Sequence, residues 1–304
     1  GFGPVMVGGW VGAVLVASLA QTGRNAAQSR LTKAIGTAGA TQVRFLFGLP
    51  FALMFLALVI WATGTMPPPM TLRATGFTAL GALAQIGATA LMLRVMQARS
   101  FALTTVWLKT EPVIVALAAA LILHDPLSLP MLAAVLVATA GVIVTSRRPG
   151  AVSGMRAGAG PVLAGLMAAG LFGASAIGFR GGIIALSSGG FLIRATTILV
   201  LSLTLQSLIL MVWMALFDRA ALAGSFRVWR GSLGAGFLGA FASQFWFIGF
   251  ALTSAANVRT LALIEVIFAQ MLAFWLFGQK ADRRQIIGSG IIMLGVGMLL
   301  RLQA

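Results

Sequence analysis

Residues 107–120, WLKTEPVIVALAAA, and residues 261–274, LALIEVIFAQMLAF, lie 154 positions apart, and each stretch places one glutamate inside an otherwise apolar segment of helix length. The glutamates are Glu111 and Glu265. An ionised carboxylate at the centre of a bilayer costs about 2.5 to 3.5 kcal/mol or more unless it is paired or hydrated, so we expect both to have a use. The recurrence predicts a duplicated architecture, and the glutamates indicate where its site lies.

The composition is that of a membrane protein. Of the 304 residues, 60% are hydrophobic and only 9% are charged, which leaves too little polar surface to cover a soluble globule. A formal net charge of +16 could suggest nucleic acid binding, but Lys and Arg stand singly or in short groups between apolar runs, as membrane-flanking residues do. We therefore expect a multi-pass protein of a bacterial-type inner (plasma) membrane. Its expected partner is the lipid bilayer, and we expect it to bind no nucleic acid.

Cysteine and histidine usage limits the chemistry. The chain has no cysteine and one histidine, so disulfides, thiolate metal sites and cysteine nucleophiles are excluded. We expect no metal and no cofactor. We also expect that the protein is not an enzyme, because His124 falls in a predicted turn and has no identifiable nucleophile beside it.

Ten apolar stretches are each long enough to cross about 30 Å of hydrocarbon, which takes roughly 20 residues. They cover residues 8–32, 42–63, 72–93, 101–123 and 128–146 in the first half, and 160–183, 191–217, 231–252, 255–277 and 285–302 in the second. The longest polar stretch, 147–158, separates a first repeat at residues 1–147 from a second at residues 158–304. Because five helices cross the membrane an odd number of times, the second copy must enter from the opposite face.

The predicted fold is all-α and integral to the membrane, with ten transmembrane helices arranged as two inverted five-helix repeats around a central cavity. Such repeats bind a small-molecule substrate near the membrane midplane and permit alternating access. Transport is therefore the function that the architecture favours, and the sequence is compatible with a monomer.

Charges in the predicted connections indicate the orientation. One side of the membrane receives most of the Lys and Arg, including Arg30, Lys33, Arg44, Arg147 and Arg148. By the positive-inside rule that side is cytoplasmic, which would place both termini outside.

Polar side chains inside the predicted helices are candidate site residues, because each needs a partner or a hydrated cavity there. Lys109 lies two positions before Glu111, about 200° around a helix, so the two do not share a face. We expect Lys109 to meet Glu265 or a substrate carboxylate. Each glutamate is either a site residue or part of an ion pair that holds helices together, and both interpretations stay open. Glu111 is the stronger candidate, because Pro112 can bend its helix and Lys109 is near.

Helical spacing and depth supply the other candidates. Gln21, Asn25 and Gln28 stand at i, i+4 and i+7 and form a polar stripe that either lines the cavity or joins helices. Trp107 and Trp246 lie deep enough to line a pocket for an apolar side chain, although packing within the bundle is the commoner role. The predicted substrate-binding residues are Gln21, Asn25, Gln85, Trp107, Lys109, Glu111, Gln244, Trp246, Asn257, Arg259 and Glu265.

Several short motifs resemble the EamA-type half-domain of the drug/metabolite transporter superfamily. The first half carries Glu111-Pro112, a polar turn about a dozen residues later, and then Ala140-Gly141-Val142. The second half repeats this order with Glu265, Gly278-Gln279-Lys280 and Leu294-Gly295-Val296, while Arg44 and Arg194 stand near the start of the second helix of each half. The chain departs from that pattern at His124-Asp125, where the family usually has Gly-Glu, and at Val266, where it usually has Pro.

The resemblance implies a ten-helix permease for small metabolites, often an exporter of amino acids, and the branch that exports aromatic and other amino acids is the first expectation. It also implies that both termini face the cytoplasm, in conflict with the loop charges. Two alternatives remain at this stage. One is an uncoupled, channel-like facilitator, and the other is a permease for other metabolites, drugs or nucleotide-sugar-like anions.

Overall fold

A computed structural model describes residues 4–95, 106–146 and 160–303 of the chain. Every secondary structure element in these ranges is a helix. The predicted boundary between the halves, 147–158, and the predicted start of the fourth transmembrane helix, 101–105, lie outside the described residues.

The described helices follow the apolar stretches of the sequence closely. In the first half they are α1 (Pro4–Leu46), α2 (Leu49–Thr63), α3 (Leu72–Val95), α4 (Glu111–Ile122) and α5 (Leu129–Ser146). In the second half they are α6 (Gly160–Ile184), α7 (Phe191–Phe217), the short α8 (Arg219–Arg227), α9 (Trp229–Leu252), α10 (Ala255–Leu261), α11 (Glu265–Phe277) and α12 (Arg283–Arg301), with a 3₁₀ turn at Ala262–Ile264 between α10 and α11. Within the described residues, eight stretches are long and apolar enough to cross a membrane.

The first of these stretches, Gly8–Thr63, is 56 residues long and turns back on itself. Gly36 has a non-helical backbone with φ 81° inside α1, and the side-chain amide of Gln28 donates to the carbonyl oxygen of Ala40 at 3.1 Å. In a straight helix these two residues would be about 18 Å apart along the axis, so the chain must reverse at Gly36. Arg44 therefore lies on the short returning arm of α1, before the break that precedes α2.

Three helix pairs make the most extensive contacts in the described bundle: α1 with α9, α3 with α6, and α5 with α12. Small residues allow two of these approaches, at Gly81 and Gly295. A Cβ atom at Gly81 would lie 2.8 Å from the ring of Phe179 on α6, and one at Gly295 would overlap the backbone of Ala138 on α5.

Candidate substrate cavity

A cavity of about 120 Å³ lies between α1, α3, α4, α6, α9 and the α10–α11 segment. Its wall combines the aromatic rings of Phe172, Phe179, Trp246, Phe247 and Phe250 with polar side chains such as Gln21, Asn25 and Gln85. Six charged side chains also line it, namely Arg24, Arg44, Lys109, Glu111, Arg259 and Glu265. Both halves of the chain contribute charge to one small space.

Both glutamates stand at the first residue of a helix that begins inside the membrane-spanning segment. A two-residue turn at 109–110 precedes Glu111 and α4, and the 3₁₀ turn Ala262–Ile264 precedes Glu265 and α11. Pro112 fits the first turn of α4 because the first helical N–H groups have no intrahelical acceptor. The positive end of each helix dipole stabilises the carboxylate placed there. The sequence located both glutamates, but not the interruption of the helix beside each of them.

Glu111 is held by a buried, bidentate ion pair. Arg259 Nε donates to Glu111 Oε1 at 2.6 Å, and Arg259 Nη2 donates to Oε2 at 3.0 Å. The glutamate is only 6% exposed. The guanidinium also lies over the ring of Trp246, 5.1 Å from its centroid. Two short parallel hydrogen bonds of this kind fix both partners in place.

Glu265 has looser partners. Lys109 Nζ lies 3.7 Å from Glu265 Oε1, and the Gln21 amide nitrogen donates to Oε2 at 3.0 Å. Trp246 Nε1 in turn donates to the side-chain oxygen Oε1 of Gln21 at 2.8 Å. Lys109 thus lies beside Glu265, one of the two partners expected for it from the sequence. A contact of 3.7 Å is longer than a direct charge-assisted hydrogen bond, so Lys109 can leave Glu265 at little cost.

Asn25 and Gln85 line the cavity next to other polar groups. Asn25 Oδ1 accepts a hydrogen bond from Arg24 Nη2 at 3.1 Å. Gln85 Oε1 accepts one from the amide of Gln206 on α7 at 2.7 Å. Gln28, the third member of the predicted stripe, bonds to the backbone at Ala40 instead and joins the two arms of α1.

Three of the predicted site residues lie outside the cavity wall. The Gln244 amide donates to Thr196 Oγ1 at 2.9 Å, and it is the neighbouring Ser243 that lines the cavity. The Asn257 amide donates to Thr253 Oγ1 at 2.9 Å within the turn that begins α10. The indole N–H of Trp107 is buried and has no hydrogen-bond partner among the residues that the structure describes.

Arg24 and Arg44 are cavity residues that the sequence did not identify. Arg24 is 2% exposed and Arg44 is 4% exposed, and the loop-charge count had assigned Arg44 to the cytoplasmic surface. Arg44 Nη1 donates to Thr89 Oγ1 at 2.8 Å. The spacing contained a signal for Arg24, because it stands at i+3 from Gln21 and so lies on the same helical face as Gln21 and Asn25.

A second charged cluster lies at the end of the bundle where α4, α6 and α9 finish. Arg180 Nε donates to both Asp125 oxygens, at 3.1 and 3.0 Å, and Arg180 Nη1 donates to the carbonyl oxygen of Phe250. The backbone N–H of Ala255, at the start of α10, donates to Asp125 Oδ2 at 3.3 Å. Asp125 belongs to the first half, and its partners Arg180 and Ala255 belong to the second, so this network ties the halves together at that end.

A bundle of long apolar helices defines a multi-pass membrane protein. Residues 160–301 match the model of the EamA-like transporter family, so the second half of the chain carries an EamA-like domain. That match indicates a membrane transporter of small molecules, and the family is not one of enzymes.

Comparison with solved structures gives the same fold over nearly the whole chain. One structure, titled "Crystal structure of protein", is 14% identical with a TM-score of 0.68, and the alignment covers 98% of this chain and 96% of that chain. At this identity the likeness shows the fold alone. No curated protein matches the chain.

Proposed function

We propose that the protein is a secondary transporter that exports amino acids or related small metabolites by alternating access through the central cavity. The observation that carries this proposal is the cavity itself, in which each glutamate of one half meets a cation of the other. Lys109 of the first half faces Glu265 of the second, and Arg259 of the second half holds Glu111 of the first. A relative movement of the halves would change both contacts at once.

The pairing of the helices supports two inverted five-helix repeats and ten membrane crossings. If the halves are related by a two-fold axis, α1, α3 and α5 correspond to α6, α9 and α12. Exchanging the halves then turns the α1–α9 pair into the α6–α3 pair and leaves the α5–α12 pair unchanged, and these are the three extensive contacts.

Backbone conformation supports the same repeat. His124 after α4 has φ 56° and Gly278 after α11 has φ 63°, and these two left-handed residues are 154 positions apart, as the glutamates are. Left-handed backbone is uncommon for a residue with a side chain, so its recurrence at His124 points to a shared turn.

The cavity offers complementary groups for the two ends of an amino acid. Glu265 can accept an ammonium group, because its contact to Lys109 is long and its bond to Gln21 occupies one oxygen. Glu111 is less available, since Arg259 already occupies both of its oxygens. Guanidinium groups in the same wall can bind a carboxylate, and the aromatic rings can receive an apolar side chain.

The cross-half network of Asp125 supports alternating access. Its four groups join the halves at one end of the bundle, next to the Phe179, Phe247 and Phe250 rings of the cavity wall. We assign this network to the closed end of the transport path, where it must break when the cavity opens to that side.

Flux through purified protein in proteoliposomes tests the proposal. Labelled amino acids loaded inside the vesicles should leave with saturable kinetics and exchange with unlabelled substrate, whereas linear, non-competable flux would identify a channel. Glu265→Gln should lower transport more than Arg194→Gln, whose side chain lies at the start of α7 away from the cavity. Equal flux with and without a proton gradient would exclude proton coupling and leave the carrier assignment standing.

A further inference from the structure

The charges in the cavity do not balance. Four cationic side chains line it and two carboxylates face them, with Lys109 and Arg259 contacting Glu265 and Glu111. Arg24 and Arg44 are left without a carboxylate within ion-pair distance in the described part of the chain, and both are at least nine-tenths buried. A buried guanidinium without a counter-ion is costly, so its retention indicates a function.

Arg24 has donors that no protein group satisfies. Its Nη2 bonds to Asn25 Oδ1, but Nε and Nη1 are buried and without a hydrogen-bond partner in the described structure. The Arg44 side chain passes the same point of α9 as the Arg24 side chain, so the two positive charges lie near each other. Such an arrangement is unfavourable when empty and becomes favourable when an anion binds between the two groups.

Both arginine side chains cross the same glycine of α9. A Cβ atom at Gly239 would lie 3.4 Å from Cδ of Arg24 and 3.4 Å from Cγ of Arg44. The two aliphatic stems therefore converge on a position of α9 that has no side chain. Thr89 fixes the direction of the second guanidinium by accepting from Arg44 Nη1 at 2.8 Å.

We propose that Arg24 and Arg44 form an anion subsite, so that the transported molecule is a small organic acid whose carboxylate or phosphate binds between the two guanidinium groups. For an amino-acid substrate this means an acidic side chain in addition to the α-carboxylate. The inference rests on the proposed transport function and specifies its substrate class.

Matched pairs of anionic and neutral ligands test this subsite on the unmodified protein in nanodiscs. The pairs are glutamate with glutamine, aspartate with asparagine, and glycerol phosphate with glycerol, and binding is followed by the fluorescence of tryptophan, because Trp246 lies in the cavity wall. At least one anion should bind roughly 10- to 100-fold more tightly than its neutral partner, as expected for charge-assisted hydrogen bonds. The pair that shows the preference distinguishes a carboxylate from a phosphate.

Two variants test whether the preference for an anion over its neutral partner depends on Arg24 and Arg44. Arg24→Gln and Arg44→Gln should each remove most of the preference for the anion over its partner, and Arg194→Gln should retain it. An equal affinity within every pair, or a preference that survives both cavity variants, would overturn the inference. Because the first comparison uses the unmodified protein, a variant that fails to fold does not remove the test.

Failure of the inference can be told apart from failure of the proposed function. Saturable, competable flux of neutral amino acids with no preference for anions would retain the transporter and reject the anion subsite. Absence of any saturable flux would reject the transporter itself.

Discussion

The ion pair between Glu111 and Arg259 should stabilise the bundle far more than the contact between Glu265 and Lys109, and Glu111→Gln tests this directly. The substitution keeps the shape of the side chain and one acceptor oxygen, but it leaves the Arg259 guanidinium without a counter-ion. Glu111 and Arg259 have side chains that are 8% and 17% exposed, so water compensates little of the loss.

The expected magnitude lies between two limits. Losing one charge-assisted hydrogen bond costs about 1.5 to 3 kcal/mol, and removing one partner of a buried ion pair costs about 3 to 5 kcal/mol. We expect Glu111→Gln to lower the free energy of unfolding by about 3 kcal/mol, because the amide oxygen and the ring of Trp246 still face Arg259. Glu265→Gln serves as the matched control and should cost below about 1 kcal/mol, since it removes a partly exposed contact of 3.7 Å.

A double-mutant cycle with Arg259→Gln separates the pair from its surroundings. Unfolding of the purified variants is measured in one detergent, and the double variant should recover most of the loss, because two amides can bond to each other without a buried charge. The reasoning fails if the two single losses add in the double variant, or if Glu265→Gln is as destabilising as Glu111→Gln.

Three further outcomes follow from local geometry. Asp125→Asn weakens the contact to Arg180 and should therefore raise the rate at which a hydrophilic maleimide labels a cysteine introduced in place of Phe250. The chain has no cysteine of its own, so only the introduced thiol reacts. An unchanged labelling rate would show that the Asp125 network does not take part in gating. His124→Gly should stabilise the protein by about 1 kcal/mol in thermal unfolding, since His124 has φ 56°, and a loss of stability would show that its imidazole makes a favourable contact. Gly295→Val should lower the free energy of unfolding by about 3 kcal/mol, because the new side chain would overlap α5. Gly297→Val is the control and should lower it much less, because a Cβ atom at Gly297 would meet nothing within 4 Å. Equal losses in the two variants would contradict close packing at Gly295.

The sequence predicted most helix boundaries in the described residues because each helix must be apolar over the thickness of the bilayer. The turn between the first two predicted helices is shorter than the sequence indicated. Lys33 and Gly36 interrupt the apolar pattern and predicted a connection at residues 33–41, whereas only Gly36 leaves the helical conformation where the chain reverses. The Gln28 side-chain amide joins the two arms by donating to the Ala40 carbonyl oxygen, a contact across 12 positions that a one-dimensional pattern cannot show.

Candidate site residues were found where a polar side chain stood alone among apolar ones. Partners could not be read in the same way, because Arg259 meets Glu111 across 148 positions and Gln21 meets Glu265 across 244. Those distances along the chain are closed by helix packing. Arg44 was missed as a cavity residue because the sequence counted it as a topology signal, although the fold buries its side chain.

The two glutamates have unequal partners because the stretches of sequence that carry them differ at the positions of the cations. An offset of 154 places Leu263 opposite Lys109 and Thr105 opposite Arg259, so neither cation has a counterpart in the other half. Each carboxylate therefore depends on a cation that only the opposite half supplies, and the two cations differ in kind. A guanidinium forms two parallel bonds to Glu111, whereas an ammonium on a flexible stem makes one long contact to Glu265. Proximity of Pro112 and Lys109 made Glu111 the stronger candidate in the sequence, but the contacts across the halves leave Glu265 the more available to a ligand.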